Sequence, residues 1–144
     1  MMKKIKMVIG SDHAGFKYKE EIKKYFKNLI DFEDVGTFSE EKCDYPDFAH
    51  EAAKKVNEET KGILICGSGN GMIMSANKHK NIRCALAWNV EIAKLARLHN
   101  DANMVAIPAR FISENEAFEI IKIFNETEFE GERHINRVNK ISIW

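Results

Sequence analysis

Gly62-Ile63-Leu64-Ile65-Cys66-Gly67-Ser68-Gly69-Asn70-Gly71 is the stretch whose reading decides the fold. Its first half is a short unbroken apolar run, the pattern of a strand buried on both faces. Its second half holds three glycines in five residues, a turn that brings backbone close to a ligand and opens a short helix to about residue 78. The same strand-to-helix alternation extends in both directions. Upstream, residues 5–10 form a mostly apolar strand, and Tyr18, Ile22, Tyr25, Phe26 and Leu29 mark one face of a helix. Residues 30–36 predict a second strand. Pro46, at a first helical position, precedes Ala49, Ala52, Ala53 and Val56 on one face. Downstream, residues 82–88 predict a fourth strand, Ile92, Leu95, Ala96 and His99 a helix, and residues 104–108 a fifth strand. Ala117, Ile120, Ile121 and Phe124 give another helix, and a basic segment begins near Arg133.

Strands alternating with helices imply right-handed crossovers and a parallel sheet covered on both faces. The expectation is an α/β fold, a doubly wound, Rossmann-like five-stranded parallel sheet of order 2-1-3-4-5, as one domain over residues 1–144. That order puts a switch point between the first and third strands, where open α/β sheets bind ligands. The loops meeting there carry Ser11-Asp12-His13 and the run from Cys66 to Gly71.

Composition narrows the function. The 144 residues are 44% hydrophobic, enough for a single core. Lysine and arginine number 22, as do aspartate and glutamate, and the zero net charge argues against a general nucleic-acid binder. Cys43, Cys66 and Cys84 are odd in number and widely spaced, which argues against a disulfide framework and for a reducing cytoplasm. The N-terminal residues pass straight into an apolar run of about six, too short for a signal core or a membrane span. A soluble chain with no membrane partner is expected.

Cys66 ends its strand at the mouth of the glycine turn, where a helix N-terminus should favour the thiolate and lower a reference pKa of about 8.5. A cysteine phosphatase would need an arginine six residues on; Met72 stands there. The turn is G-x-G-x-G, not the dinucleotide fingerprint G-x-G-x-x-G, and Phe16 breaks a P-loop by separating Gly15 from Lys17. Glycines alone equally make a tight strand-to-helix turn, and Cys43 and Cys84 read as structural. Cys66, His13, His79 and His99 show no zinc-site spacing, so no metal is expected. His99-Asn100-Asp101 closes a helix antiparallel to the strands, so His99 lies at the sheet edge opposite Cys66. If both act on one substrate, the site spans two subunits. Arg133, His134 and Arg137 form a basic tail able to fork onto one phosphate, and Arg110 follows the fifth strand at the Cys66 edge.

In this order the motifs resemble the ribose-5-phosphate isomerase B family, which includes galactose-6-phosphate isomerase subunits. The resemblance runs through Gly10-Ser11-Asp12-His13-Ala14-Gly15-Phe16, Asp44-Tyr45-Pro46, Ile65-Cys66-Gly67-Ser68-Gly69-Asn70-Gly71, Ala76-Asn77-Lys78, His99-Asn100-Asp101 with Asn103, and Gly131-Glu132-Arg133-His134 with Arg137. It implies interconversion of ribose 5-phosphate and ribulose 5-phosphate without a metal or organic cofactor. It further implies that Cys66 is the carbon base, that His99 of a second subunit opens the sugar ring, and that Ser68 assists proton movement. Asp12, His13, Tyr45, Gly67, Ser68, Gly69, Asn70, Gly71, Asn100 and His134 would line the substrate, with Arg110, Arg133 and Arg137 on its phosphate. The partners implied are a small phosphorylated sugar and a second copy of the chain, in a dimer or a tetramer. Some members replace the cysteine with a glutamate just after the turn. Cys66 and Met72 place this chain with the cysteine-base branch. Glu132 departs from a common glycine and adds negative charge near the phosphate. An isomerase of a six-carbon phosphosugar (allose or galactose 6-phosphate) and a non-catalytic phosphosugar-binding module are the alternatives.

Overall fold

A computed structural model describes residues 3–143; Met1, Met2 and Trp144 of the expected 1–144 domain lie outside the described residues. The elements run β1 (Ile5–Ser11), α1 (Phe16–Tyr25), β2 (Ile30–Asp34), α2 (Tyr45–Lys55), β3 (Lys61–Cys66), α3 (Asn70–Ala76), β4 (Cys84–Leu86), α4 (Val90–Asn100), β5 (Met104–Pro108), α5 (Glu114–Glu126) and α6 (His134–Asn139). Pro46 is the second rather than the first residue of α2. On the α1 face Ile22 and Phe26 are buried as the spacing predicts. Tyr25 and Leu29 are 61% and 39% exposed, because the helix stops at Tyr25 and the chain turns into β2.

All strand pairs are parallel, but the order is β2-β1-β3-β5-β4 rather than 2-1-3-4-5. The physical reason lies in the two strands that change places. Met104-Val105-Ala106-Ile107-Pro108 is buried at every position, so it demands neighbours on both sides and takes the place beside β3. β4 shrinks to three residues, two of them half-buried, between Arg83 and an exposed Trp88, which suits an edge.

Right-handed crossovers turn this swap into a change of face. A connection running backwards from β4 to β5 carries its helix to the side opposite α3. Accordingly α2 and α3 cover one face, over Val8, Leu64, Cys66 and Ala106. Residues of α1, α4 and α5 cover the other, over Ile9, Ile63, Ile65 and Ile107. The period-two alternation along β3 therefore sends Cys66 to the α2/α3 side and Ile65 to the other.

One buried charge network ties α1 to β2. Lys19 Nζ is fully buried and bonds Asp34 Oδ2 at 2.5 Å and Glu20 at 3.1 Å, while Lys23 reaches the same Asp34 oxygen at 2.8 Å. Burial pushes the Asp34 carboxyl up. The two lysines and the Gly36 N–H outweigh that and hold it below the usual carboxylate value.

Candidate active site

The loops after β1, β3 and β5 meet at the C-terminal edge of the sheet. The Asp12 N–H donates to the Ile65 carbonyl at 3.2 Å, and Asp12 Oδ1 accepts the Gly15 N–H at 3.0 Å. Gly15 presses on β3 so closely that a Cβ there would lie 2.4 Å from the Ile65 oxygen, which is why the turn needs glycine. The Arg110 N–H donates to the Gly67 carbonyl at 3.0 Å, and its guanidinium folds over Gly67. Tyr45, opening α2, lays its ring on Gly71, where a Cβ would meet it at 2.3 Å. Asp12, His13, Tyr45, Cys66, the 67–71 turn and Arg110 thus gather at one edge.

Cys66 closes β3 with 5% exposure. Met72 packs in the same core cluster, while the sulfur accepts the Gly69 N–H at 3.1 Å and hydrogen bonds from the Met72 and Ser68 backbones. Gly69 can aim its N–H this way because its φ of 82° lies in the left-handed region. The expected acidification of the thiol is reversed in the isolated subunit. Burial pushes the Cys66 thiol up, the three N–H groups pull it down without prevailing, and Asp12 adds a further rise. The turn supplies the predicted donors; desolvation outweighs them.

Ser68 is half-buried, with Oγ accepting the Asn70 N–H at 3.3 Å, and Asn70 itself is exposed. Cys84 is inert, its thiol pushed far up by burial. Cys43 has company that sequence reasoning missed. Its N–H donates to His13 Nδ1 at 3.3 Å, and its sulfur lies 3.8 Å from the same nitrogen. Thirty residues separate the pair, and no local pattern records such a meeting.

The remaining predicted residues collect elsewhere. His99 and His134 stack with ring centroids 4.3 Å apart and planes 16° apart. Glu130 lies 4.0 Å from His99 Nε2 and 3.5 Å from Arg133. α6, carrying His134 and Arg137, packs on α4, whose last residue is the exposed Asn100. This cluster sits where α4 ends, just before β5 begins, at the far edge of the sheet from Cys66. The intervening strand is about 13 Å long at about 3.3 Å per residue. The predicted site residues therefore form two half-sites that one subunit does not bring together.

His99, Glu130 and His134 offer donor atoms within 4.8 Å of one another. Near-parallel rings do not converge their lone pairs on one ion, and Arg133 and Arg137 flank the group, so the cluster suits an anion better than a metal. Burial, then Arg133 and His99, keep the His134 pKa below its ordinary value, and its buried Nε2 has no hydrogen-bond partner among the described residues. Glu132 adopts a φ of 50°, a left-handed conformation where glycine is more at ease.

The description Ribose/Galactose Isomerase matches residues 7–141. The chain belongs to the ribose/galactose isomerase family. A curated member of that family, a putative sugar phosphate isomerase of Bacillus subtilis (strain 168), is 47% identical over 142 residues, covering 96% of this chain and 95% of its own. Among solved ribose/galactose isomerase structures, a ribose 5-phosphate isomerase of Thermotoga maritima superposes with a TM-score of 0.91 at 45% identity, covering 95% of this chain and 97% of its own. Ribose-5-phosphate isomerase B of Mycoplasma genitalium, solved with bound ribulose-5-phosphate, gives a TM-score of 0.91 at 38% identity, covering 94% and 93%.

Proposed function

We propose that the chain is an aldose–ketose isomerase that interconverts ribose 5-phosphate and ribulose 5-phosphate through a cis-enediolate, with Cys66 as the carbon base and no metal or organic cofactor. The observation that carries this reading is the Cys66 sulfur beneath the backbone N–H groups of the glycine turn, next to Arg110. The Cys66 thiolate takes the C2 proton of the open-chain aldose, and the C–H electron pair becomes the C1–C2 double bond. Negative charge passes to the C1 oxygen, where N–H donors of the turn steady it. The same thiol then returns its proton to C1 as the enediolate collapses to the ketose. Ser68 Oγ relays the hydroxyl proton between the two oxygens. The pentose is preferred over a six-carbon phosphosugar because the Mycoplasma genitalium relative binds ribulose-5-phosphate.

The working site is a dimer's. The partner subunit's His99 opens the sugar ring, and Arg133, His134 and Arg137 of the partner subunit join Arg110 on the phosphate. Two observations support this: the cluster lies a strand's length from Cys66 in its own subunit, and the His134 Nε2 has no partner among the described residues. Buried polar groups are costly to leave unpaired, and an incoming ligand or subunit relieves that cost. Docked cations would also favour the thiolate, offsetting the desolvation that raises Cys66. Three free thiols suit a reducing cytoplasm.

Incubation of the protein with ribose 5-phosphate in deuterated water, followed by proton NMR, tests the reaction. Isomerisation with deuterium entering the carbon positions is expected. Tight binding of the sugar phosphate with no exchange at carbon would make the chain a binding module instead.

A further inference from the structure

A cleft of about 940 Å³ opens at the sheet edge opposite Cys66, between the C-terminal end of α2, the start of β3 and the loops leading into β4 and β5. That volume falls among small-molecule sites, which span roughly 300–1,000 Å³. None of its lining residues belongs to either half-site above.

Its charges are unbalanced. Arg83 and Arg97 converge on one carboxylate, Asp101, at 3.3 and 2.9 Å, so a positive charge remains. Lys61, the first residue of β3, is half-buried on the same wall, and Lys80 stands on the loop opposite. Neither lysine has an ion-pair or hydrogen-bond partner among the described residues. Burial, then Arg97, hold the Lys61 ammonium below the usual lysine value, against the opposing pull of Asp101 and Glu128. Lys54 is answered by Glu51 at 3.2 Å, and Glu58 is the other acid on the wall. His79, held by His50 at 2.6 Å, is kept below its ordinary pKa by burial and adds no charge at neutral pH. A cation cluster in a chain of zero net charge calls for an anion.

We propose that this cleft binds a small multivalent oxyanion through the Nζ atoms of Lys61 and Lys80 and the Nη1 of Arg83. Arg83 spends Nε on the Asp101 carbonyl at 2.8 Å and Nη2 on its carboxylate, and Nη1 has no partner among the described residues. Among the described residues no Phe, Tyr or Trp lines the walls, and the cations stand close together, which suits a compact ligand.

Amide NMR of the isotopically labelled protein, titrated with inorganic pyrophosphate and separately with citrate, reads this cleft apart from the active site. Saturable shifts at Lys61, Asn81 and Arg83 are expected with at least one probe by about 10 mM, enough to fill a millimolar site. Lys61→Met keeps the aliphatic stem and removes the charge, and those shifts should vanish in it. Lys80→Glu, on an exposed loop, should weaken binding about fivefold. Arg110→Ala should silence responses at Gly67–Gly71 and spare these. Absence of saturable shifts with both probes, equal shifts in Lys61→Met, or shifts reproduced by sodium chloride at matched ionic strength would overturn the proposal. The isomerase reading is untouched by any of these, because it is read from deuterium entering the sugar carbons and from responses at Gly67–Gly71, none of which line the cleft.

Discussion

The Gly69 N–H points at the Cys66 sulfur across 3.1 Å, so the group proposed to move a proton and the turn proposed to steady the oxyanion are fastened to each other. This contact depends on the left-handed Gly69, and Leu86 stands 2.3 Å from where a Cβ would be. Base and oxyanion donors are held by one backbone turn, and anything that shifts the turn shifts both.

Cys66→Ala should lower turnover by at least about 10²-fold, the usual scale for loss of an acid–base group, without altering the circular dichroism spectrum. His99→Ala should also be severely impaired. When the two variants are mixed and allowed to exchange subunits, one site in each heterodimer regains both groups and activity returns. Mass spectrometry would confirm the heterodimers; silent heterodimers would refute a shared site.

In dissociated subunits, away from the partner's cations, the Cys66 thiol should titrate above the ordinary 9.0. Burial raises the folded-state pKa, so the neutral thiol persists to higher pH than in the unfolded chain. The rate of Cys66 alkylation by iodoacetamide, followed by mass spectrometry against pH, should still be climbing beyond that value. Pairing of the subunits should lower the profile, and a plateau already reached at neutral pH in the dissociated subunits would contradict the burial argument.

Gly71→Ala drives a methyl group into the Tyr45 ring, which must leave its seat on the turn to admit it. About 2 kcal/mol of destabilisation is expected in urea denaturation, on the scale of other overpacked sites. The double variant with Tyr45→Ala should recover most of that loss while remaining weak in phosphosugar binding. Additive losses would show that the two residues do not share the contact.

Asp34→Ala leaves the buried Lys19 ammonium to the part-exposed Glu20 alone and should cost about 2 kcal/mol, below the scale for a wholly uncompensated interior charge. Adding Lys19→Met should restore part of it. Because the Asp34 carboxyl is held below 3.8, the unfolded chain takes up its proton first as pH falls. The contribution is therefore full above about pH 4, and it is lost as pH drops through the lower folded value. The acid limb of the wild-type stability curve should flatten in the double variant.

Sequence alone shows why β3 and its turn were legible: five apolar residues and three glycines leave few alternatives. The places of β4 and β5 were not. Both are short and apolar, and hydrophobic pattern does not record which strand sits beside β3. Only full burial of 104–108 and the polar flanks of β4 separate centre from edge. Helical spacing likewise marks Tyr25 and Leu29 as inward-facing without showing that the helix ends at Tyr25. The chemistry followed the same division. Cys66 and its donors could be named from local order, whereas its ionisation depends on packing from Met72 and Asp12, and the Cys43–His13 contact on a loop closure that spacing does not predict.

The antiparallel run of α4 against the strands has a last consequence for how such a molecule behaves in dilute solution. If the proposed shared site holds, Cys66 and His99 at opposite ends of one sheet leave a lone copy with two incomplete halves, and each encounter between copies completes a pair of centres at once. Below the dissociation constant of that pairing, turnover would fall with the square of concentration rather than in proportion to it, which makes the cell's abundance of the chain a control on flux.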